Sequence, residues 1–407
     1  MALHLAKRLV ASALTLALAY LAWSDASITQ GQASPPPGLP PSSQTSAGLA
    51  LAMIDRADPL GAQAEAGQTS HRAGIARASL QTNALDAAAL RQLALAQPNR
   101  ASDQTASLLA LSERVSRRDL ATQILLFERD LAREDYRAAF THIDRVLAVR
   151  PAAQDETTLK LVPLLMLDHA RTALSLYRRR SWFETLLRQA VAQPGYLTAT
   201  RALIDAAKPD LADPDNPVLP ALINRYVERG EYSEARRAAL LLGGFDASML
   251  DDFALTEHTR DPRLGLLAWR GGQGDVATVA WDDAGAAQIE VQSGHAASVL
   301  QRLIVGSAGP LTLSFRVAPD PVSPAPQLRW MVSCADPVAS TLAWQQPIPP
   351  VDRPVQFSAS LVVSGCPAQV WQLQAVAADS QSASRITLDR LALSRGTGSG
   401  SAFGRQD

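Results

Sequence analysis

The sequence predicts a multidomain chain, α then β: an N-terminal apolar helix, a helical repeat, and an antiparallel β-sandwich that is most simply a jelly roll. From about residue 47 to 245, Ala, Leu, Arg and Glu recur with the spacing of amphipathic helices. Beyond about residue 264, apolar residues alternate with polar ones at period two, the pattern of strands with one buried face. The 407 residues suffice for two or three domains, each with its own core.

The composition excludes several classes of protein. The chain has 38 basic and 39 acidic residues, a formal net charge of -1, and nucleic-acid partners need a basic face, so this balance gives no reason to expect one. Charged residues make up 19% of the chain and hydrophobic residues 47%, which argues against both a multi-span membrane protein and a disordered chain. Two cysteines are too few for a disulfide-built fold or a Cys-rich zinc module.

The first residues have the pattern of an export signal. Lys7 and Arg8 precede an apolar run over residues 9–23, and small residues follow at Ser24 and Ala26. We interpret residues 1–29 as a signal peptide or as a membrane anchor. In either case the rest of the chain is expected to be exported and periplasmic, either released or held at the inner membrane by residues 9–23.

Two segments have the composition of linkers. Residues 30–46 hold five prolines within seven positions and almost no bulky apolar side chain, which predicts a semi-rigid linker. Residues 396–407 are rich in Gly and Ser, which predicts a flexible tail. The domains between them are expected at 47–245, helical, and 246–395, a β-sandwich.

The helical region contains two segments with matching spacing. In the first, Leu126, Tyr136 and Ala139 fall where a pair of packed helices needs large and small contacts, and Pro151 ends the unit because it cannot continue a helix. In the second, at 219–242, the corresponding positions are Leu222, Tyr226, Gly230, Tyr232 and Ala235.

These two segments resemble tetratricopeptide-type helical repeats. Their turns, Arg133 to Tyr136 and Arg229 to Tyr232, are alike, and Gly230 sits where the turn needs a left-handed residue. Because the two tyrosines are 96 residues apart, which is no multiple of 34, the units between them are irregular. The resemblance implies a curved solenoid whose groove binds a protein partner.

The C-terminal region is expected to form about eight strands. In each of the clearest strands the apolar residues occupy alternate positions, as in Leu311, Leu313, Phe315 and Val317. The predicted strands cover residues 286–292, 297–305, 311–317, 328–334, 355–363, 368–377 and 385–393. Proline clusters at 319–326 and 347–354 separate some of them.

This region is similar to carbohydrate-binding-type jelly rolls of exported bacterial proteins. The similarity rests on the opening at 243–246, on Trp269 and Trp281, and on strands at 299–302 and 386–389. Together with the export segment and the helical repeats, it resembles proteins associated with exopolysaccharide production. That opening usually has Asn and Glu where this chain has Leu242 and Asp246, and the resemblance assigns no ligand-binding residue here.

Four residues are candidates for a ligand face. Sugar rings present apolar C–H faces, so sugar-binding domains use aromatic side chains beside polar groups. Trp344 precedes Gln-Gln-Pro in an expected loop, and Trp281 adjoins Asp282 and Asp283. Core or edge packing is the competing role for both tryptophans. The alternation places Trp330 and Trp371 in the core.

The cysteines Cys334 and Cys366 are expected at the end of one strand and the start of another. A disulfide between them is the natural interpretation in an exported protein, and it would contribute on the order of 3 kcal/mol. Two buried free thiols are the alternative.

No motif indicates catalysis, a metal or a cofactor. The six histidines have no metal-ligand spacing, there is no G-x-S-x-G elbow, and adjacent acids such as Asp282 and Asp283 point apart in a strand. We therefore predict a non-enzymatic exported adaptor with a protein partner and polysaccharide as a second ligand, acting in exopolysaccharide or cell-envelope biogenesis. Its alternatives are a glycan-active enzyme with a site between the two domains, and a purely structural sandwich that caps the solenoid.

Overall fold

The computed structural model describes residues 50–54, 58, 66–99, 102–211, 213, 215–272, 274–282, 284–306, 309–336, 341–363, 365–377, 382–395 and 404–406. The predicted signal or anchor at 1–29 and the linker at 30–46 lie outside these residues. Three residues of the predicted tail, Gly404–Gln406, form a strand. Among the described helices, none is long and apolar enough to cross a membrane.

The N-terminal half is helical, as predicted. Its helices follow one another closely along the chain: α1 (Ala66–Thr82), α2 (Ala87–Leu95), α3 (Asp103–Val115), α4 (Leu120–Ala132), α5 (Tyr136–Val149), α6 (Gln154–Leu161), α7 (Asp168–Ser175), α8 (Ser181–Ala192) and α9 (Leu197–Ala207). Acidic and hydroxyl side chains cap several of them. Asp135, for example, accepts a hydrogen bond from the backbone N–H of Ala138 at 3.1 Å and begins α5.

A first compact unit within the described part reaches Ala190 and includes Thr198–Ala207. Leu126 in α4 and Ala139 in α5 are buried, so the α4–α5 pair packs through the positions that the sequence indicates. Pro151 follows α5 and opens a 3-10 turn. Glu134, in the turn between these helices, has a φ of 62°.

Between α4 and α5 lies a buried polar cluster. Nδ1 of His142 lies 2.7 Å from the Gln123 side-chain oxygen, and Nε2 lies 3.3 Å from the carboxylate of Asp130. Burial raises the pKa of Asp130, but hydrogen bonds from His142 and Arg129 outweigh it, so this pKa lies below its ordinary value. The cluster therefore joins α4 and α5 by polar contacts as well as by apolar packing.

The second compact unit holds Val191–Leu197 and the chain from Lys208 onward. It begins with a helical hairpin, α10 (Val218–Glu228) and α11 (Tyr232–Leu242), followed by the short α12 (Ala247–Asp251). Gly230 joins α10 to α11 with a φ of 73°, in the left-handed region that the turn requires. The helical hairpin predicted at 219–242 thus shares a compact unit with the strands.

The rest of this unit is the predicted β-sandwich. Its strands are β1 (Arg270–Gly271), β2 (Ala277–Trp281), β3 (Ala287–Val291), β4 (Ala296–Val305), β5 (Gly309–Pro319), β6 (Gln327–Cys334), β7 (Thr341–Ile348), β8 (Val355–Val363), β9 (Ala368–Val376), β10 (Ser384–Arg395) and β11 (Gly404–Gln406). Within the described residues they form two antiparallel sheets. The five-stranded sheet has the order β1-β4-β9-β6-β7, and the six-stranded sheet has the order β11-β8-β5-β10-β3-β2.

The period-two pattern correctly predicts which side chains enter the core. Leu311, Leu313, Phe315 and Val317 of β5 are all buried, and so are the alternate apolar residues of β8. Trp330 and Trp371 are fully buried between the sheets, as predicted. The strands pair in antiparallel register throughout, so each sheet presents one apolar face inward and one polar face outward.

A buried arginine attaches the segment before β1 to the sandwich. Arg302 of β4 is 1% exposed, and its guanidinium donates to the backbone carbonyls of Leu250 and Leu267 at 2.9 Å each and to that of Asp252. The same segment places Phe253 and Trp269 in the core, with their ring centroids 5.0 Å apart. Burial lowers the pKa of Arg302 to about 10, against the opposing effect of nearby carboxylates.

The turn at Pro262–Leu267 packs against α10. A Cβ on Gly265 would lie 2.5 Å from the side-chain oxygen of Asn224, and the residue has a φ of 55°, so only glycine fits. The same Asn224 oxygen accepts a hydrogen bond from the backbone N–H of Leu266 at 2.8 Å. Because Arg302 also binds the carbonyl of Leu267, this turn links the hairpin to β4.

A disulfide joins Cys334 and Cys366, with 5.2 Å between their Cα atoms. It connects the end of β6 to the residues that lead into β9, and these two strands are neighbours in the five-stranded sheet. The structure therefore confirms the disulfide that the sequence predicts.

We expect Arg302→Met to lower the free energy of unfolding by about 3 kcal/mol, because it leaves three buried carbonyls without donors. Urea denaturation measures the change. Arg385→Met is the matched control, since Arg385 is exposed on β10 and pairs with Glu290; its effect should stay within about 0.5 kcal/mol. Equal stability of the two variants would contradict the role of Arg302.

Reduction of the disulfide should lower the free energy of unfolding by about 3 kcal/mol, since the 32-residue separation closes a loop in the unfolded chain. Urea denaturation with and without reductant measures this difference. A Cys334→Ser, Cys366→Ser variant should be insensitive to reductant and as unstable as the reduced protein. If reduction leaves the midpoint of the wild-type protein unchanged, the disulfide does not contribute to stability.

Candidate functional site

The predicted ligand residues around Trp281 belong to a turn at one edge of the six-stranded sheet. Trp281 ends β2, is half-buried against the core, and carries the guanidinium of Arg260 4.7 Å above its ring. The carboxylate of Asp282 accepts the backbone N–H of Ala286 at 2.7 Å and so helps close the turn from β2 to β3. Asp283 lies outside the described residues. Trp281 and Asp282 thus both have structural contacts.

Trp344 lies in strand β7 and not in a loop, so that prediction was wrong. The Gln-Gln-Pro that follows it looks like turn sequence, but β7 is an edge strand, where a proline needs no ladder hydrogen bond. Trp344 pairs with Val332 in register and packs against the core from this edge. It therefore belongs to the inward side of the five-stranded sheet.

The two candidate tryptophans are not brought together. β7 borders the five-stranded sheet and packs over β8, whereas β2 borders the six-stranded sheet and packs over β1 and β4. Trp281 and Trp344 thus mark opposite edges of the sandwich. They do not form one aromatic platform.

The outward face of the five-stranded sheet presents a row of amide side chains instead. Gln301 of β4 pairs with Gln372 of β9, Gln372 pairs with Met331 of β6, and Met331 pairs with Gln345 of β7. We call Gln301, Gln372 and Gln345 the amide row. Four neighbouring strands at about 4.8 Å spacing make this row about 14 Å long.

A second row runs beside it, two residues along β9 and β6 and three along β4, where the register shifts between Ser298 and Leu300. Ser298 of β4 pairs with Gln374 of β9, and Gln374 pairs with Arg329 of β6. Ser298 and Arg329 are exposed, and Gln374 is half-buried. The face is therefore polar over two rows, with amide, hydroxyl and guanidinium groups side by side.

The amide row is open to ligands. Among the described residues, the side chains of Gln301, Gln372 and Gln345 have no hydrogen-bond partner, and each amide offers two donor hydrogens and an acceptor oxygen. The outward face of the six-stranded sheet differs. There Arg316 is paired with Asp389 and Arg385 with Glu290, so these two guanidinium groups already have carboxylate partners.

A cavity of about 320 Å³ lies at one end of the amide row. Gln301 belongs to the amide row and also lines this cavity. Leu303 of β4 and Val370 of β9 line the same wall of the cavity. The hairpin contributes the opposite wall through Val227, Glu228 and Tyr232, and Leu266, Ala335 and Asp336 complete the lining. The hairpin thus closes one end of the polar face and makes it a cleft.

The cavity combines an aromatic ring with acidic groups. Burial raises the pKa of the Tyr232 hydroxyl, and the nearby carboxylate of Asp336 raises it further, so this hydroxyl stays protonated and can donate. The disulfide fixes Cys334, two residues before Asp336.

The helical unit has a separate groove of about 330 Å³ between α2, α3 and α4. Its lining is mainly apolar and includes Leu95, Leu109 and Leu125. Arg129 and Arg133 stand at its rim with Glu128. Among the described residues of the whole chain, no group of three His, Cys, Asp or Glu side chains could hold a metal ion.

The sequence contains a pattern that indicates part of the amide row, although the search for ligand residues began from the tryptophans. In the predicted strand 368–377, Gln372 and Gln374 alternate with the buried Trp371 and Leu373, so the period-two rule places both glutamines outward. Which strands flank them cannot be read from this pattern. That depends on the strand order.

Comparisons with known proteins give structural similarity only. No family model matches the chain, and no curated protein matches it. Several solved structures do match. One, described as "CBM4 structure and function", is 16% identical with a TM-score of 0.24, over 32% of this chain and 96% of that chain.

Two further structures cover a similar share of the chain. The CBM22-1 xylan-binding domain from Paenibacillus barcinonensis Xyn10C is 12% identical with a TM-score of 0.26, over 35% of this chain and 92% of that chain. The N-terminal cellulose-binding domain from Cellulomonas fimi β-1,4-glucanase C is 17% identical with a TM-score of 0.23, over 33% of this chain and 91% of that chain. This chain is similar to these carbohydrate-binding modules in its C-terminal β-sandwich.

Proposed function

We propose that this chain is an exported, non-enzymatic adaptor whose β-sandwich contacts polysaccharide and whose helical unit binds a protein partner. The amide row on the five-stranded sheet is the observation that carries the polysaccharide half. Export rests on the apolar run at 9–23 behind Lys7 and Arg8. A place in exopolysaccharide or cell-envelope biogenesis rests on the resemblance noted above.

The chemistry of the amide row suits sugar hydroxyls. A hydroxyl both donates and accepts, and so does a glutamine amide, whereas the paired charges on the six-stranded sheet are occupied. The row also runs across four strands and ends in a cavity, which favours an extended ligand over a single small molecule. Leu303, Val370 and the ring of Tyr232 offer apolar surface to the C–H faces of a sugar there.

One observation favours the alternative of a glycan-active enzyme. The cavity at the end of the amide row contains two carboxylates, Glu228 and Asp336. Glycoside hydrolysis uses a pair of carboxyl groups. Glu228, however, pairs with Arg225 at 2.7 Å and its side chain is 55% exposed, so it is neither free nor enclosed as a hydrolytic carboxylate would be.

We expect the full chain to bind at least one polysaccharide of a neutral and acidic panel, and Gln301→Ala with Gln372→Ala to weaken that binding roughly tenfold, since two hydrogen-bonding side chains are lost. Affinity electrophoresis or calorimetry measures it. Gln288→Ala is the matched control, an exposed amide on β3 in the other sheet.

Three outcomes contradict this proposal. Failure to bind any polysaccharide would favour a sandwich with a purely structural role. Equal loss of binding in the Gln288→Ala variant would remove the amide row as the contact surface. Release of reducing ends from a bound polysaccharide would favour the enzyme.

The helical unit is the half that we assign to a protein partner. The turns before Tyr136 and Tyr232 share a residue with positive φ, Glu134 at 62° and Gly230 at 73°, which supports a common tetratricopeptide-type hairpin. The apolar groove between α2, α3 and α4, with Arg129 and Arg133 at its rim, fits an apolar segment that carries an acidic group.

Leu125→Asp is expected to abolish copurification of a discrete partner with the full chain in its native host, because it places a charge in the groove. Leu111→Asp is the control, since Leu111 is 39% exposed on α3 and does not line the groove. Thermal unfolding of both variants checks that the helices remain folded. If both variants retain the partner, the groove is not its binding surface.

A further inference from the structure

A second cavity of the C-terminal unit, of about 560 Å³, has a different character from the cleft beside the amide row. Its walls come from α11, from the end of α12 at Asp251, and from the ends of β4, β5 and β10. None of its lining residues belongs to the amide row. We call it the arginine pocket.

The arginine pocket carries an excess of positive charge. Arg236, Arg237 and Arg395 line it, and Asp251 is the acidic residue among the lining side chains. Arg237 pairs with Glu234 at 3.0 Å, and Arg395 is exposed at the end of β10 without a described partner. Arg236 and Arg237 thus each have a carboxylate partner, and Arg395 is the lining arginine whose charge is left to attract a ligand of the opposite sign.

One contact shows what group the pocket can hold. Arg236 donates two hydrogen bonds to the carboxylate of Asp251, at 2.7 and 3.0 Å, in the two-pronged geometry typical of arginine and carboxylate. The Asp251 side chain is 58% exposed, so this carboxylate reaches Arg236 from solvent and not from the core. A carboxylate on a ligand can therefore take the same place on Arg236, or bind Arg395.

The remaining walls are those of a site for a hydroxylated, partly apolar molecule. Leu240, Val305, Leu311 and Leu393 supply apolar surface, and the hydroxyls of Ser233 and Ser394 lie among them. The volume falls in the range of cavities that bind small molecules. Inorganic phosphate would satisfy the arginines but leave the apolar wall without a contact.

We propose that the arginine pocket binds an acidic sugar, with the sugar carboxylate on the arginines and its C–H face on the leucine and valine side chains. This rests on the proposed function in one respect, the choice of a sugar as the ligand. Asp251 acts as an internal competitor, because its carboxylate occupies Arg236 while the pocket is empty. In this proposal the arginine pocket binds the carboxylate of an acidic sugar, whereas the amide row binds sugar hydroxyls.

The variant Asp251→Asn tests this directly. It removes the competing charge and should raise the affinity of the full chain for a galacturonic acid oligomer roughly tenfold, as one charge-assisted contact becomes available. Asp389→Asn is the matched control, since it releases Arg316 in the same way on the six-stranded sheet. That variant should leave the affinity unchanged. Thermal unfolding checks that both variants are folded.

Loss of the other arginines should act in the opposite direction. Arg237→Ala with Arg395→Ala is expected to weaken binding of the galacturonic acid oligomer about tenfold and to reduce its salt dependence, without changing the binding of a neutral glucose oligomer. Inorganic phosphate is the third ligand in the titration. If inorganic phosphate fully displaces the galacturonic acid oligomer at the concentration at which the oligomer itself binds, the pocket is a general anion site. The assignment of a sugar as its ligand then fails.

The outcomes separate this inference from the proposed function. Suppose that Gln301→Ala with Gln372→Ala leaves binding of the glucose oligomer intact, while Asp251→Asn still strengthens binding of the galacturonic acid oligomer. The proposal for the amide row is then wrong, and the proposal for the arginine pocket holds. If Asp251→Asn leaves the oligomer affinity unchanged or lowers it, the pocket is wrong while the amide row is unaffected. Equal affinity for galacturonic acid and glucose oligomers at the pocket would also overturn it.

Discussion

The buried guanidinium of Arg302 is the constraint on which the C-terminal unit depends. A charged side chain inside a protein costs several kcal/mol unless its donors are satisfied, and here the partners are backbone carbonyls at Leu250, Asp252 and Leu267. Those carbonyls lie in an irregular segment that has no strand or long helix of its own to satisfy them. The segment supplies acceptors for the guanidinium, and the guanidinium supplies donors for the segment. These hydrogen bonds fix where the chain enters the sandwich.

The candidate site follows from that attachment. Because the turn at Pro262–Leu267 is held to β4 on one side and to Asn224 of α10 on the other, the hairpin α10–α11 stands beside the five-stranded sheet. Its Tyr232 then faces Gln301 and Val370 across the cavity. A flat polar sheet becomes a cleft with one closed end, and α11 also supplies the arginines of the second cavity.

The two surfaces that we propose as ligand sites thus lie in one compact unit. The amide row itself carries no charge and is spread over four strands, which suits the extended, hydroxylated ligand that we propose. The arginine pocket is compact and positively charged, and Asp251 already shows a carboxylate bound there.

The sequence by itself predicted the change from helices to strands, the core residues of strands such as β5 and β8, the hairpin turn at Gly230 and, as the preferred alternative to two free thiols, the disulfide. All of these depend on local periodicity, on the conformational freedom of glycine, or on there being only two cysteines. The tertiary structure alone decided that β7 is an edge strand containing Trp344 and that Trp281 lies at the far edge. It alone aligned Gln301, Gln372 and Gln345, because register and strand order come from pairings between residues that are far apart in the sequence, such as Gln301 and Gln372. A period of two shows to which face of a sheet a side chain points. Only the assembled sheets show which side chains of the neighbouring strands lie beside it.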